Sequence, residues 1–183
     1  MKKIIIIILI FFPIILNADE RDNQLDILFN ELKINNASLA KEIEKKIWNI
    51  WITHPTNNNL SINLSEGSRL IKDQQLLKAV EIFTEIIQKD PTWAEAWNKR
   101  ATVLYLLGRY EDSQKDIDNV LKLEKRHFGA LAGQGLVNIK LKNYEKAITS
   151  YQKVQEIYPS MESPHIMIYQ ISLLLNGLLI TRF

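Results

Sequence analysis

Between Trp93 and Lys125, the residues Trp97, Ala101, Leu104 and Tyr105 fall at i, i+4, i+7 and i+8, one face of an α-helix. Gly108-Arg109 interrupts that stripe. Tyr110, Ser113, Ile117, Val120 and Leu121 then begin a second stripe at helical spacing. The pattern predicts helix, tight turn, helix, and it recurs. Small residues return at Gly67, Ala101 and Gly135, and large ones at Leu76, Tyr110 and Tyr144. Three further sets follow: Ala79, Ser113 and Ala147; Phe83, Ile117 and Tyr151; Ile86, Val120 and Val154. Members of each set stand 34 residues apart, and Pro91 and Pro159 stand twice that. Such a period marks stacked helical pairs, since one pair cannot bury its apolar stripe alone.

The spacing also predicts how each pair packs. Gly67, Ala101 and Gly135 on the first helices face Ala79, Ser113 and Ala147 on the second, because backbones approach closely only where side chains are small. Phe83, Tyr110, Tyr144 and Tyr151 fill the surrounding space. Thr92 and Glu95 have the spacing of a capping box opening a helix. Pro91 and Pro159 follow the second helices, which they cannot continue. Ser163-Pro164 reads as an N-cap followed by proline at the first helical position.

These residues resemble tetratricopeptide repeats (TPRs). The middle unit carries Trp97, Ala101, Leu104, Gly108, Tyr110, Ser113, Ile117 and Val120; the next carries Leu131, Gly135, Tyr144, Ala147, Tyr151, Val154 and Pro159. The resemblance spans residues 60–159. It departs at Asn63, where the family has an aromatic residue, at Ser113 for alanine and at Lys125 for proline. It implies an all-α fold, a right-handed superhelix of stacked antiparallel helix pairs, with units at 60–93, 94–127 and 128–161. It further implies that the first helix of each unit lines a concave groove. Carried over by position, the groove residues are Glu95, Asn98, Lys99, Thr102 and Tyr105 in the middle unit, with Leu136 and Ile139 following. Ser61, Leu64, Ser65, Ser68 and Ile71 precede them, and Gly129, Ala132 and Gly133 complete the last unit. An asparagine here can bond both polar groups of an extended peptide. Some TPR cochaperones grip a terminal carboxylate with Lys, Asn and Arg residues spread over three repeats. Only Asn98 and Lys99 offer that chemistry here, so the groove suits an apolar or mixed segment.

The ends of the chain differ from the repeats. Lys2-Lys3, the apolar run Ile4–Leu16 and then Asn17-Ala18-Asp19 have the pattern of a secretory signal peptide over residues 1–18. The run is shorter than the roughly 20 residues that span a bilayer; an uncleaved anchor is the alternative. Residues 19–59 hold two stripes, Leu25, Leu28, Phe29, Leu32 and Leu39, Ile43, Ile47, Ile50, Trp51, separated at Asn35-Asn36. They are expected to form a degenerate helical hairpin capping the first repeat, with Trp48 and Trp51 packed there. Residues 162–183 are expected to form a terminal helix, apolar almost all round from Ile166 to Ile180. Its readings are packing on Ala147, Tyr151 and Val154, a partner or self-association surface, or membrane contact.

Charge and chemistry narrow the function. The full chain has 23 basic and 21 acidic residues, and without Lys2 and Lys3 the balance is even. No basic field attracts phosphate backbones, which argues against nucleic acid. There is no cysteine, hence no disulfide and no thiol nucleophile. His54, His127 and His165 lie apart in sequence and are expected at surfaces or junctions. Glu81 with Glu85, and Asp112 with Asp116, lie one helical turn apart but have lysines around them, and read as solvated faces. Gly129 and Gly133 have no packing reason in the pattern; they read as local flexibility or as clearance for a ligand. No catalytic, metal or cofactor residues are expected. The reading is a non-enzymatic scaffold or adaptor, periplasmic or secreted, binding a protein or peptide partner. A membrane-associated structural subunit of an envelope complex is the alternative.

Overall fold

The computed structural model describes residues 8–33 and 36–177, with side chains from Glu20 onward. Among the described residues the chain is all helical: α1 (Ile8–Leu32), α2 (Ala37–Ile52), α3 (Asn58–Lys72), α4 (Leu76–Lys89), α5 (Ala94–Leu106), α6 (Tyr110–Leu123), α7 (Phe128–Lys140), α8 (Tyr144–Ile157) and α9 (Glu162–Leu175). Parts of two expectations lie outside them: the first residues of the signal segment, and the apolar run beyond Gly177. Asn36 caps α2 by accepting from the backbone N–H groups of Ser38 and Leu39.

Helices α3 to α8 form three hairpins, each packed on the next. Every hairpin turns the same way. The positive-φ residues Gln74, Gly108 and Lys142 lie 34 apart, with φ of 58°, 74° and 59°. The N–H groups of Gln75, Arg109 and Asn143 donate to the carbonyls of Leu70, Leu104 and Asn138, each at 2.8 Å. That closure satisfies carbonyls the helix end would leave unpaired.

Inside each hairpin, a small residue admits a large one. A Cβ built on Gly67 would stand 2.5 Å from the Phe83 ring, and one on Gly135 would stand 2.5 Å from the Tyr151 ring. In the middle hairpin Ser113 Oγ donates to the Ala101 carbonyl at 2.8 Å, so the departure from alanine is met by a hydrogen bond. Between hairpins, Leu60, Leu64, Phe83, Ile86, Trp93 and Val103 share one core cluster. Ala101, Ile117, Val120, Ala130 and Val137 share the next. Helix α9 continues the stack, with Ile171 buried against Ile139, Ala147 and Tyr151. Ile166 and Tyr169 on its outer side remain more than half exposed.

Local expectations fail where a tertiary partner competes. The capping box at Thr92 is not made. Thr92 bonds Asp90, Trp93 occupies the N-cap without a side-chain bond, and Glu95 is turned toward His127. Helix α9 begins at Glu162, before Ser163-Pro164, with Met161 at its N-cap. Asp116 is not solvated. It is 4 % exposed and takes the Arg100 guanidinium at both oxygens, 2.7 and 2.8 Å, while Arg100 also donates to Thr84 Oγ1.

The largest correction concerns the N-terminal hairpin. Helices α1 and α2 do not stack on α3 as a cap. Leu25, Leu28, Phe29 and Leu32 of α1, with Ala40, Ile43, Ile47 and Trp51 of α2, share a core with Phe128 and Leu131 of α7, Val154 of α8 and Tyr158. The hairpin lies along the edge where first helices begin and second helices end. Trp93 Nε1 donates to the Trp51 carbonyl, Tyr158 donates to Glu44, and Arg126 pairs with Asp26 beneath the Phe29 ring. The physical reason is aromatic area. Trp51 stacks on His127 at 3.9 Å between ring centres, and Trp48 stands edge-on to Phe128. Large rings of this kind dominate burial energetics, and α3 offers no matching aromatic face.

Candidate partner-binding groove

The sequence places seven residues on the groove: Glu95, Asn98, Lys99, Thr102, Tyr105, Leu136 and Ile139. The structure brings four of them around one cavity. Asn98, Thr102, Tyr105 and Leu136 line a space of about 70 Å³ between α5 and α7, together with Ala101, Gly129, Ala130, Gly133, Ile117 and Val137. Thr102 and Leu136 are exposed at its rim, and Tyr105 is half-buried. Burial pushes the Tyr105 phenol above its ordinary pKa, with Tyr110 adding to it, so it is a neutral hydrogen-bonding group at physiological pH.

The other three sit elsewhere. Ile139 is not a groove residue: it is 6 % exposed, inside the cluster closed by Ala147, Tyr151 and Ile171. Arrival of α9 against α7 and α8 explains its burial. Glu95 is 1 % exposed, beneath the N-terminal hairpin. Lys99 is half-buried, with Nζ 3.2 Å from Glu95 Oε1 and 5.9 Å from the Trp48 ring centre.

Glu95 organises this end of the groove. Its Oε2 accepts from Asn98 Nδ2 at 3.0 Å and from His127 Nε2 at 3.0 Å. His127 Nδ1 accepts the backbone N–H of Ala130, so the neutral ring carries its proton on Nε2 and caps α7 at once. Burial alone would raise the Glu95 carboxyl, but the His127 contact, reinforced by Lys99, outweighs it and holds the group below its ordinary range. Lys99 approaches Oε1 off the line of a good hydrogen bond, leaving that oxygen an ion-pair contact only. His54 repeats the device one junction earlier. Its Nδ1 accepts from Thr56 and Asn57 N–H, and its Nε2 meets Asp90 Oδ2 at 2.8 Å. His54 is thus a buried junction residue, not a loop surface, and His165 is exposed.

Trp48 and Trp51 pack on the third unit, not the first. A Cβ on Gly129 would stand 2.7 Å from Trp48 Cη2, so this glycine has a packing reason after all. Gly133 has none of that kind: a Cβ there would meet only Ile117 Cδ1, at 3.7 Å, beside open space. Gly133 thus leaves space on this face of α7, while Gly129 is filled by Trp48. The cavity floor, Ala101, Ser113, Ile117 and Val137, was missed, because those positions carry the packing pattern of the repeat. The glycine pair on a helix was the available signal.

Among the described residues no group of three or more His, Asp or Glu residues is placed to hold a metal ion. No described helix is long and apolar enough to cross a membrane.

Comparison with known proteins agrees with the repeat geometry. The family model described as "Tetratricopeptide repeat" matches residues 98–162. A TPR repeat-containing protein of Rhizobium etli is 32% identical over 152 residues, covering 79% of this chain and 71% of that protein. The chain belongs to the tetratricopeptide repeat family. Hsp70-Hsp90 organizing protein 1 of Glycine max is 28% identical over 88 residues, which cover 48% of this chain but 15% of that protein. Among solved structures, the first TPR of Spaghetti (RPAP3), bound to the HSP90 peptide SRMEEVD, superimposes with a TM-score of 0.62 at 20% identity, covering 64% of this chain and 93% of that one. MamA gives 0.61 at 20% identity, covering 78% and 80%. At such identities the likeness speaks for the TPR fold alone. In this TPR chain the N-terminal hairpin lies along the edge of the array, buries Glu95 and packs Trp48 against Gly129.

Proposed function

We propose that this TPR array is a non-enzymatic binding module that holds a segment of another protein across α5 and α7. The carrying observation is the open cavity between Asn98, Thr102, Tyr105, Gly133 and Leu136 on the face formed by first helices. TPR neighbours solved with chaperone peptides bound, such as the RPAP3 domain with its HSP90 peptide, support a peptide as the partner. The rigid, stacked helices present the surface ready-made, so little ordering entropy opposes binding on the protein side. A photo-crosslinking amino acid at Thr102 or Leu136 should capture partner in cells, whereas the same group at Glu81 or Lys115 should not. Equal yields from both sets would remove the groove from consideration.

We also propose that the chain is exported and cut after Ala18. Cleavage would start the mature helix at Asp19, placing Asp19, Glu20 and Asp22 in the first turn, where negative charge is favoured by the helix dipole. Among the side chains described, from Glu20 onward, those of α1 that share the core are Leu25, Leu28, Phe29 and Leu32, all beyond the cut. Sequencing the N-terminus of protein recovered from an exporting bacterium tests this; an intact Met1 would exclude it.

A further inference from the structure

Resting on that groove reading, we infer that the bound segment is recognised through an uncharged, branched aliphatic side chain seated beside Gly133, and that a carboxylate is refused. Charge and shape point there independently.

The charge observation is that the chain's own carboxylate already holds the groove's anion-binding groups. Asn98 Nδ2 donates to Glu95 Oε2 at 3.0 Å, and Lys99 Nζ stands 3.2 Å from Glu95 Oε1. Glu95 cannot leave, because His127, its third partner, is fully buried under the Trp51 ring. A ligand carboxylate reaching Asn98 or Lys99 would strip partners from a buried anion and add a like charge beside it, both unfavourable. The face is therefore complementary to a neutral group.

The shape observation concerns the cavity. Its floor is mostly hydrocarbon, from Ala101, Ile117, Ala130 and Val137, with the Ser113 hydroxyl already donated to the Ala101 carbonyl, and its mouth opens between Tyr105 and Leu136. The opening exists because Gly133 has no side chain and nothing else reaches in: the nearest atom to a Cβ there is 3.7 Å away. Gly129 also lines the space, and a Cβ there would meet Trp48 Cη2 at 2.7 Å. A space of about 70 Å³ exceeds what one water needs, yet below the polar rim its mostly apolar floor gives water few partners. Filling it with an aliphatic group removes apolar surface from water on both sides. At the rim the Tyr105 hydroxyl is placed for the backbone that carries that side chain, and Thr102 Oγ1, which donates to the Asn98 carbonyl at 3.0 Å, can still accept from it.

The test uses the full chain and two probes: a phage-displayed library of randomised seven-residue peptides, half with free C-termini and half embedded in Gly-Ser flanks, and the synthetic peptide SRMEEVD. Gly133→Leu fills the cavity from within, and Leu136→Lys places a cation at its rim; circular dichroism and thermal melting check that each folds. The expected result is enrichment of Leu, Ile or Val at one peptide position from both halves of the library. Both substitutions should weaken those peptides by roughly 10- to 100-fold, the loss of one buried aliphatic side chain. Three results would each overturn the inference while leaving the groove standing. They are selection of acidic C-termini, SRMEEVD binding as tightly as the best selected peptide, and binding strengthened by Leu136→Lys. Failure of any peptide to bind, with no cross-links from Thr102 or Leu136, would overturn the groove reading as well.

Discussion

Gly133 and Gly135 sit two residues apart on α7, yet alanine at the two should move stability in opposite directions. Both substitutions gain helix propensity, about 1 kcal/mol for a glycine in a helix interior. At Gly133 nothing offsets that gain, since the new methyl lies 3.7 Å from Ile117 Cδ1, an ordinary contact. At Gly135 the new methyl falls 2.5, 2.6 and 2.9 Å from three atoms of the Tyr151 ring. The ring is 2 % exposed and must move by about 1 Å to restore normal contact, in a core packed to crystal-like density. Overpacking of this kind costs about 1–3 kcal/mol. The net expectation is a gain of about 0.5–1 kcal/mol for Gly133→Ala and a loss of up to about 2 kcal/mol for Gly135→Ala.

Urea unfolding followed by circular dichroism measures both, with the slope compared to confirm that the folded and unfolded states keep their exposed areas. Repeat arrays can lose two-state behaviour, so the midpoint shift at constant slope is the quantity to compare. If Gly135→Ala is stabilised as much as Gly133→Ala, the hairpin does not close around Tyr151 as described. If Gly133→Ala is destabilising, the space beside Gly133 is filled and the cavity is not there.

Four further outcomes follow from named contacts. Glu95 and Asp90 are both held below their ordinary pKa, so their stabilisation is complete above about pH 4.3, near the unfolded glutamate value, and is lost as pH falls through the folded values; melting temperature against pH should therefore drop on the acid side, and Glu95→Gln should flatten that limb. Replacing Asp116 with alanine leaves the partly buried Arg100 guanidinium without its bidentate partner and should cost about 3 kcal/mol in chemical denaturation. Gly129→Ala should destabilise the parent but stabilise a Trp48→Ala background, a sign reversal readable in a double-mutant cycle. Lys142→Gly should add up to about 1 kcal/mol in the same unfolding assay, because Lys142 holds a left-handed conformation that glycine adopts without strain.

What the sequence disclosed and what it withheld divide along physical lines. The 34-residue sets put small residues opposite one another, Gly67 opposite Ala79 and Gly135 opposite Ala147, with Phe83 and Tyr151 around that contact; in the structure the two rings lie directly over the glycines. One turn was legible in Gly108-Arg109; its left-handed conformation, and the same conformation at Gln74 and Lys142 one period away, emerged only in the structure. Four of the seven groove positions meet around one cavity. Ile139 was lost to α9, whose docking depends on a helix outside the matched repeats. Asp116 read as solvated because i, i+4 spacing reports the helix face, not Arg100 across the hairpin. Thr92 and Glu95 had capping spacing, but a buried imidazole 3.0 Å away binds the carboxylate in preference to a backbone N–H.

The docking of α1 and α2 was illegible for a deeper reason. A periodic pattern specifies how one repeat meets the next, so it carries no information about a segment outside the period. That segment found the edge of the array by aromatic area and by one missing side chain, at Gly129. Its position then decides the chemistry of the groove. By covering Glu95 it converts a carboxylate on the binding face into a buried group whose partners are Asn98, Lys99 and His127. The same positions on a bare array would expose an amide, an ammonium and a carboxylate to a ligand. Here they are spent on one another, and the unspent surface is the apolar hollow beside Gly133. Selectivity of this TPR groove is thus set as much by the helices laid against it as by the helices that line it.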